Sequence, residues 1–274
     1  MSVSIEPGKR IFESNDLLVT QNQDGGSRWF YIPQPVVRPR LRLYCFPYAA
    51  GSPALFRDWT VLLPGTVEMR AVTLPGRGLQ ADARPICNLK VLSGHIAKAV
   101  AAHSDTHFAF FGHSMGALLA FETTRELRRR GSMQPVHLFL SACHAAHRFS
   151  ENRATVENMT NEEFITHLGR LAGTPREILN DRQLMEILLP SLKADFLALD
   201  RWRYEADRPL NVPITAIAGR DDEAVGTEAV REWQQHTNMD FNFTAVAGDH
   251  FFVTSAPEPL VELISRTLRN DAWL

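Results

Sequence analysis

The sequence predicts an α/β fold, a mostly parallel central sheet flanked by helices, on three observations. Apolar runs of strand length alternate with stretches of helical periodicity along most of the chain. One of those runs, His107-Phe108-Ala109-Phe110-Phe111-Gly112, passes through a glycine-bounded turn straight into a helix former run beginning at Met115. The alternation breaks once, between about residues 145 and 208, where no strand-like run occurs and helical stretches follow one another. That break predicts a helical lid inserted into the sheet domain.

At 274 residues, with 45% hydrophobic and 22% charged residues, the chain has the composition of a soluble protein with a large core. Residues 1–26 are polar and irregular and read as an N-terminal extension; 27–274 read as one domain. A net charge of −2 excludes a strong general attraction to nucleic acid or to a membrane surface. No run approaches the roughly 18 apolar residues of a membrane helix, and the first thirty residues hold no signal-peptide core. Cys45, Cys87 and Cys143 are odd in number and far apart, which fits a reducing compartment better than a disulfide framework. The expectation is a cytoplasmic monomer.

Taken in order, strands are expected at 29–32, 41–46, 67–74, 107–112, 136–142, 213–219 and 241–246. Helices are expected at 56–63, 89–103, 115–130, from 161, at 181–189 and 192–202, at 228–235 and at 260–268. The helix from Met115 ends at Gly131, and Arg125, Arg128, Arg129 and Arg130 near its end read as a solvated turn that suits the helix dipole. Among the insertion's apolar residues, Phe164, Leu168, Leu171, Ile187, Leu188, Phe196, Leu197 and Leu199 exceed what short helices need for one another and are candidates to line an apolar channel.

Gly112-His113-Ser114-Met115-Gly116 between a strand and a helix is G-x-S-x-G in the setting of the nucleophile elbow of α/β-hydrolases. A serine hydroxyl needs an adjacent base, and in this fold the acid and then the histidine follow the serine along the chain. His250 follows the last strand and supplies the base; Asp222 follows the strand before it. Asp222 is favoured over its neighbour Asp221 because Val225 three residues later gives the spacing of acid to apolar anchor. The oxyanion hole needs two backbone N–H groups: Met115 after the nucleophile, and Ala49 in the Pro47–Gly51 loop, with Tyr48 as runner-up. His113 sits in the elbow but reads as a packing residue. The remaining histidines lack metal-ligand spacing, so no metal and no cofactor site is expected.

These residues carry a family resemblance. Cys45-Phe46-Pro47-Tyr48-Ala49-Ala50-Gly51-Ser52, Leu74-Pro75-Gly76-Arg77, the elbow, Leu171-Ala172-Gly173-Thr174-Pro175, Leu188-Leu189-Pro190-Ser191-Leu192-Lys193-Ala194-Asp195 and Gly248-Asp249-His250-Phe251-Phe252 resemble the type II (editing) thioesterases of polyketide and nonribosomal peptide synthases. Vertebrate medium-chain acyl-carrier thioesterases share most of these markers. Two departures stand out: Tyr48 replaces the family's usual histidine and Ala50 its usual glycine, and Gly78 follows Arg77 where an acidic residue is usual. The resemblance implies hydrolysis of acyl, aminoacyl or peptidyl thioesters from the phosphopantetheine arm of a carrier domain, with Arg77 and Lys193 as cations to meet it. The substrate brings the phosphopantetheine; the enzyme brings no cofactor. A carboxylesterase or lipase of the same fold is the nearest alternative, and a non-catalytic binding protein the alternative of another class.

Overall fold

The computed structural model describes residues 28–103, 105–149, 155–171 and 173–274. The expected extension 1–26 lies outside the described residues. Seven strands are present among them: β1 (Phe30–Tyr31), β2 (Leu41–Phe46), β3 (Val67–Val72), β4 (Phe108–His113), β5 (Leu138–Ser141), β6 (Ile214–Gly219) and β7 (Phe241–Val246). They form one sheet in the order β1-β3-β2-β4-β5-β6-β7. Only β1 runs antiparallel; every other neighbouring pair is parallel.

The helices are α1 (Trp59–Leu62), α2 (Leu89–Ala101), α3 (Met115–Arg129), α4 (Asn161–Leu171), α5 (Arg176–Asn180), α6 (Arg182–Arg201), α7 (Thr227–Arg231), α8 (Phe252–Ser255) and α9 (Pro257–Asn270). A parallel sheet must be covered on both faces, and side-chain alternation along the strands divides the core accordingly. Tyr44, Phe46, Phe108, Phe110, Leu138 and Leu140 point to the face covered by α2 and α3. Leu43, Cys45, Ala109, Phe111 and Phe139 point to the other, against Trp59 of α1 and Leu260, Ile264 and Leu268 of α9. Each phenylalanine fully withdrawn from water here contributes about 2–3 kcal/mol.

The chain steps outward from β2 to β3 and then crosses back to β4, so the strand order reverses between β2 and β4. In open α/β sheets the crevice beyond the carboxyl ends of such a pair is where ligands bind. The loop after β2 and the turn after β4 meet at that point.

Between β5 and β6 the chain forms α4, α5 and α6, which share a small core of Val156, Phe164, Leu168, Met185, Leu192 and Phe196. Thr160 and Glu163 cap α4 reciprocally: Glu163 N–H donates to Thr160 Oγ1 at 3.2 Å and Thr160 N–H to the Glu163 carboxylate at 2.8 Å. The expected pair of helices at 181–189 and 192–202 is one continuous helix, α6, with Pro190 inside it. Proline deprives the Glu186 carbonyl of its helical partner, but Glu186 and Pro190 lie on the exposed side, where the carbonyl is open to solvent.

The arginines at the end of α3 also differ from expectation. Arg129 and Arg130 are solvated and paired with Glu126. Arg125 is buried and donates to Glu122 and to the Glu205 carbonyl, each at 2.7 Å. Arg128 reaches Asp207 at 2.5 Å and the carbonyls of Arg208 and Pro209 at 3.0 Å. The segment returning from the insertion passes across the helix end and uses these two side chains as its anchors. Gly131, with φ of 65°, terminates the helix as the sequence indicates.

Candidate active site

The turn between β4 and α3 is tight because its glycines leave no room for anything larger. A Cβ on Gly112 would collide with the Gly116 carbonyl, and one on Gly116 with the Phe46 carbonyl. Ser114 occupies the apex with φ of 54° and ψ of −118°. That conformation is strained for any residue with a Cβ, by about 1–3 kcal/mol, and it lifts the hydroxyl clear of the sheet.

His250, on the loop after β7, brings Nε2 to 3.1 Å from Ser114 Oγ. Its Nδ1 lies 2.8 Å from Asp222 Oδ2. A carboxylate only accepts, so Nδ1 carries the proton and Nε2 is bare toward the serine. The Asp222 side chain is fully buried and the imidazole 21% exposed. Burial alone would raise the Asp222 pKa, but the His250 hydrogen bond and charge and the N–H groups of Val225 and Ala224 outweigh it and hold the carboxyl below its ordinary value. Both N–H groups donate to Oδ1 at 2.9 Å. Asp221 turns the other way: its carboxylate accepts the Gly248 N–H at 3.2 Å, and its own N–H donates to the Gly248 carbonyl at 3.0 Å.

His113 is completely buried beneath the serine. Its Nε2 donates to the His250 carbonyl at 2.7 Å, and Nδ1 accepts from Ser141 Oγ at 2.9 Å. The ring therefore ties the elbow to the loop that carries His250, a link the sequence did not reveal. Burial pushes its pKa down to about 3 from an ordinary 6.5. The folded protein thus holds this ring neutral where the unfolded chain would protonate it. Stability is full above pH 6.5 and falls as pH drops from there toward 3, by about 2 kcal/mol at pH 5 from this group. Urea midpoints at pH 7 and pH 5 measure the loss. In His113→Gln, whose amide does not titrate, the drop between the two pH values is smaller; equal drops would refute the assignment.

The loop after β2 forms a turn in which Gly51 N–H donates to the Tyr48 carbonyl at 2.9 Å. Ala50 has a φ of 68°, so the turn has the φ signs of type II, whose third residue is ordinarily glycine. The Ala50 N–H is engaged by Asp195. Among the described residues no hydrogen bond is made by the N–H of Ala49, of Tyr48 or of Met115. Tyr48 packs edge-on against Phe251 with ring centroids 5.3 Å apart.

A cavity of about 220 Å³ opens beside Ser114 and His250. Leu168 and Leu171 of α4 and Phe196 and Leu199 of α6 contribute to its wall. Of the other apolar residues expected there, Phe164 is buried in the insertion's own core and Ile187 is 73% exposed. Arg77 and Lys193 are not free surface cations. The Arg77 side chain is 10% exposed and paired with Asp195, and Lys193 donates to the Met159 carbonyl at 2.5 Å. Among the described residues no cluster of His, Cys, Asp and Glu is arranged to hold a metal ion, and no helix is long and apolar enough to cross a membrane.

The parallel sheet with its reversal at β2 and β4, and the strained serine at that point, define an α/β-hydrolase. Residues 41–268 match the family model described as thioesterase domain. The gramicidin S biosynthesis protein GrsT of Aneurinibacillus migulanus is 35% identical over 243 residues, spanning 89% of this chain and 94% of that protein. The medium-chain S-acyl fatty acid synthase thioesterase of Rattus norvegicus is 30% identical over 219 residues, 77% of this chain and 81% of that protein. The solved structure of the type II thioesterase BorB, from the borrelidin biosynthetic cluster, matches with a TM-score of 0.80 at 29% identity, covering 89% of this chain and 98% of that one. The chain belongs to the thioesterase family. It is a hydrolase of thioesters, of the type II class that accompanies polyketide and nonribosomal peptide synthesis.

Proposed function

We propose that the enzyme clears acyl, aminoacyl or peptidyl groups from the phosphopantetheine arm of carrier domains, freeing synthases that are stalled or misprimed. The observation that carries this reading is the hydrogen-bonded line from Ser114 through His250 to Asp222, set at the mouth of an apolar cavity. The relation to GrsT and BorB supports the choice of a carrier-bound substrate.

Ser114 Oγ attacks the thioester carbonyl as its proton passes to His250 Nε2. Asp222 keeps the imidazole oriented and stabilises its charged form. The oxyanion receives the N–H groups of Ala49 and Met115. The intermediate collapses, the C–S bond breaks, and His250 returns the proton to the departing sulfur. Water then repeats the sequence on the acyl-serine, releasing the acid and restoring the hydroxyl. The enzyme needs no cofactor of its own and acts as a cytoplasmic monomer.

The test compares hydrolysis of one acyl group presented as a carrier-bound thioester and as an oxygen ester, with Ser114→Ala as control. The carrier thioester is cleaved faster, with kcat/KM at least about tenfold higher. An equal or greater rate on the oxygen ester would point instead to an esterase.

A further inference from the structure

The loop after β2 is fastened to the helical insertion by a carboxylate that the mechanism above does not use. Asp195 lies on α6 with its side chain 3% exposed. One of its oxygens accepts the Ala50 N–H at 2.8 Å and lies 2.8 Å from a guanidinium nitrogen of Arg77. Its other oxygen accepts the second terminal nitrogen of Arg77, also at 2.8 Å. Arg77 in turn donates to the carbonyls of Gly51 and Ser191, each at 3.1 Å. Both carboxylate oxygens are therefore satisfied, and a buried pair with satisfied lone pairs holds a fixed geometry.

The one backbone group this carboxylate grips belongs to the strained residue. Ala50 stays in the left-handed region that side-chain-bearing residues disfavour. That conformation lets Gly51 N–H reach the Tyr48 carbonyl. The Tyr48 carbonyl and the Ala49 N–H share one planar trans peptide and point in opposite directions. Fixing the carbonyl toward Gly51 thus fixes the direction of the Ala49 N–H.

We propose that Asp195, braced by Arg77, is a positioning residue for the oxyanion hole: it holds Ala50 left-handed and so aims the Ala49 N–H. The inference rests on the reading of Ala49 as an oxyanion donor. It gives α6 a double task, because Phe196 and Leu199 of the same helix wall the acyl cavity. Cover and electrophile support then move together or not at all.

The test uses two inhibitors carrying one acyl chain. A trifluoromethyl ketone adds Ser114 Oγ to its carbonyl carbon, the carbonyl electron pair moves to oxygen, and His250 takes the proton. The resulting oxyanion requires the hole. A thioether with a methylene in place of the carbonyl occupies the cavity without forming one. Asp195→Asn weakens the ketone, and lowers kcat on a small acyl thioester, by about 30-fold or more. It leaves thioether affinity within about twofold. Adding Ala50→Gly to Asp195→Asn recovers part of the ketone affinity, because glycine holds a positive φ unaided. Arg77→Lys, which keeps a charge but cannot span both oxygens and two carbonyls, shifts the ratio in the same direction by a smaller factor. It serves as the test where Asp195→Asn does not fold. Unchanged ketone affinity in the variants, or equal weakening of both inhibitors, overturns the proposal. A wild-type enzyme that binds the ketone no tighter than the thioether removes the oxyanion reading itself, and this inference with it.

Discussion

Replacing Ser114 by glycine abolishes thioester hydrolysis and makes the protein more stable than replacing it by alanine. Both substitutions remove the nucleophile, and kcat falls by about 10⁴-fold or more in each. They differ in the backbone. Alanine inherits the φ of 54°, whereas glycine occupies it without a Cβ clash. The relief of about 1–3 kcal/mol exceeds the roughly 0.5–1 kcal/mol that glycine costs through the flexibility of the unfolded chain. The expected net difference is about 1 kcal/mol in favour of the glycine variant, read from urea unfolding of the two variants side by side. A glycine variant less stable than the alanine variant would mean that the elbow stores no strain.

The two adjacent aspartates separate by effect. Asp222→Asn lowers kcat by about 10³–10⁴-fold, because an amide nitrogen can face His250 Nδ1 and drive the ring's proton to the nitrogen that should be bare. The N–H groups of Ala224 and Val225 still find an acceptor, so the fold survives. Asp221→Asn leaves kcat within about threefold and stability within about 0.5 kcal/mol, since an amide oxygen still accepts the Gly248 N–H. Turnover and unfolding of both variants decide the matter, and a large loss of turnover in Asp221→Asn alone would reverse the assignment.

Much of this was legible in the chain because the relevant signals are local. A strand, two glycines and a helix surround Ser114, and acid and histidine follow successive strands at spacings that period and turn residues reveal. The α/β class followed from alternation that a buried parallel sheet requires. What the sequence withheld was long-range. Asp195 is 145 residues from the Ala50 N–H it accepts; the family motifs include it without saying what it holds. Arg77 looked like a surface cation because nothing nearby in sequence shows its carboxylate partner. Arg125 and Arg128 looked solvated for the same reason, their partners lying some 80 residues on. Pro190 looked like a helix break because local propensity does not record which side of the helix faces water.

The separation between the serine and its base has a consequence for the order in which the molecule is assembled. Ser114 and His250 are 136 residues apart, and the ring of His113 grips the second of these loops from beneath the first. The elbow itself is built on β2, β4, β5 and α3, with the Ser141 carbonyl of β5 accepting the Ser114 N–H at 2.8 Å. Contacts between distant parts of a chain form more slowly than local ones. Until the loops after β6 and β7 are in place, the serine hydroxyl has neither His250 to take its proton nor Asp222 to orient that base. Reactivity toward acyl groups therefore requires β6 and β7 to have docked, because the loops that follow them carry Asp222 and His250.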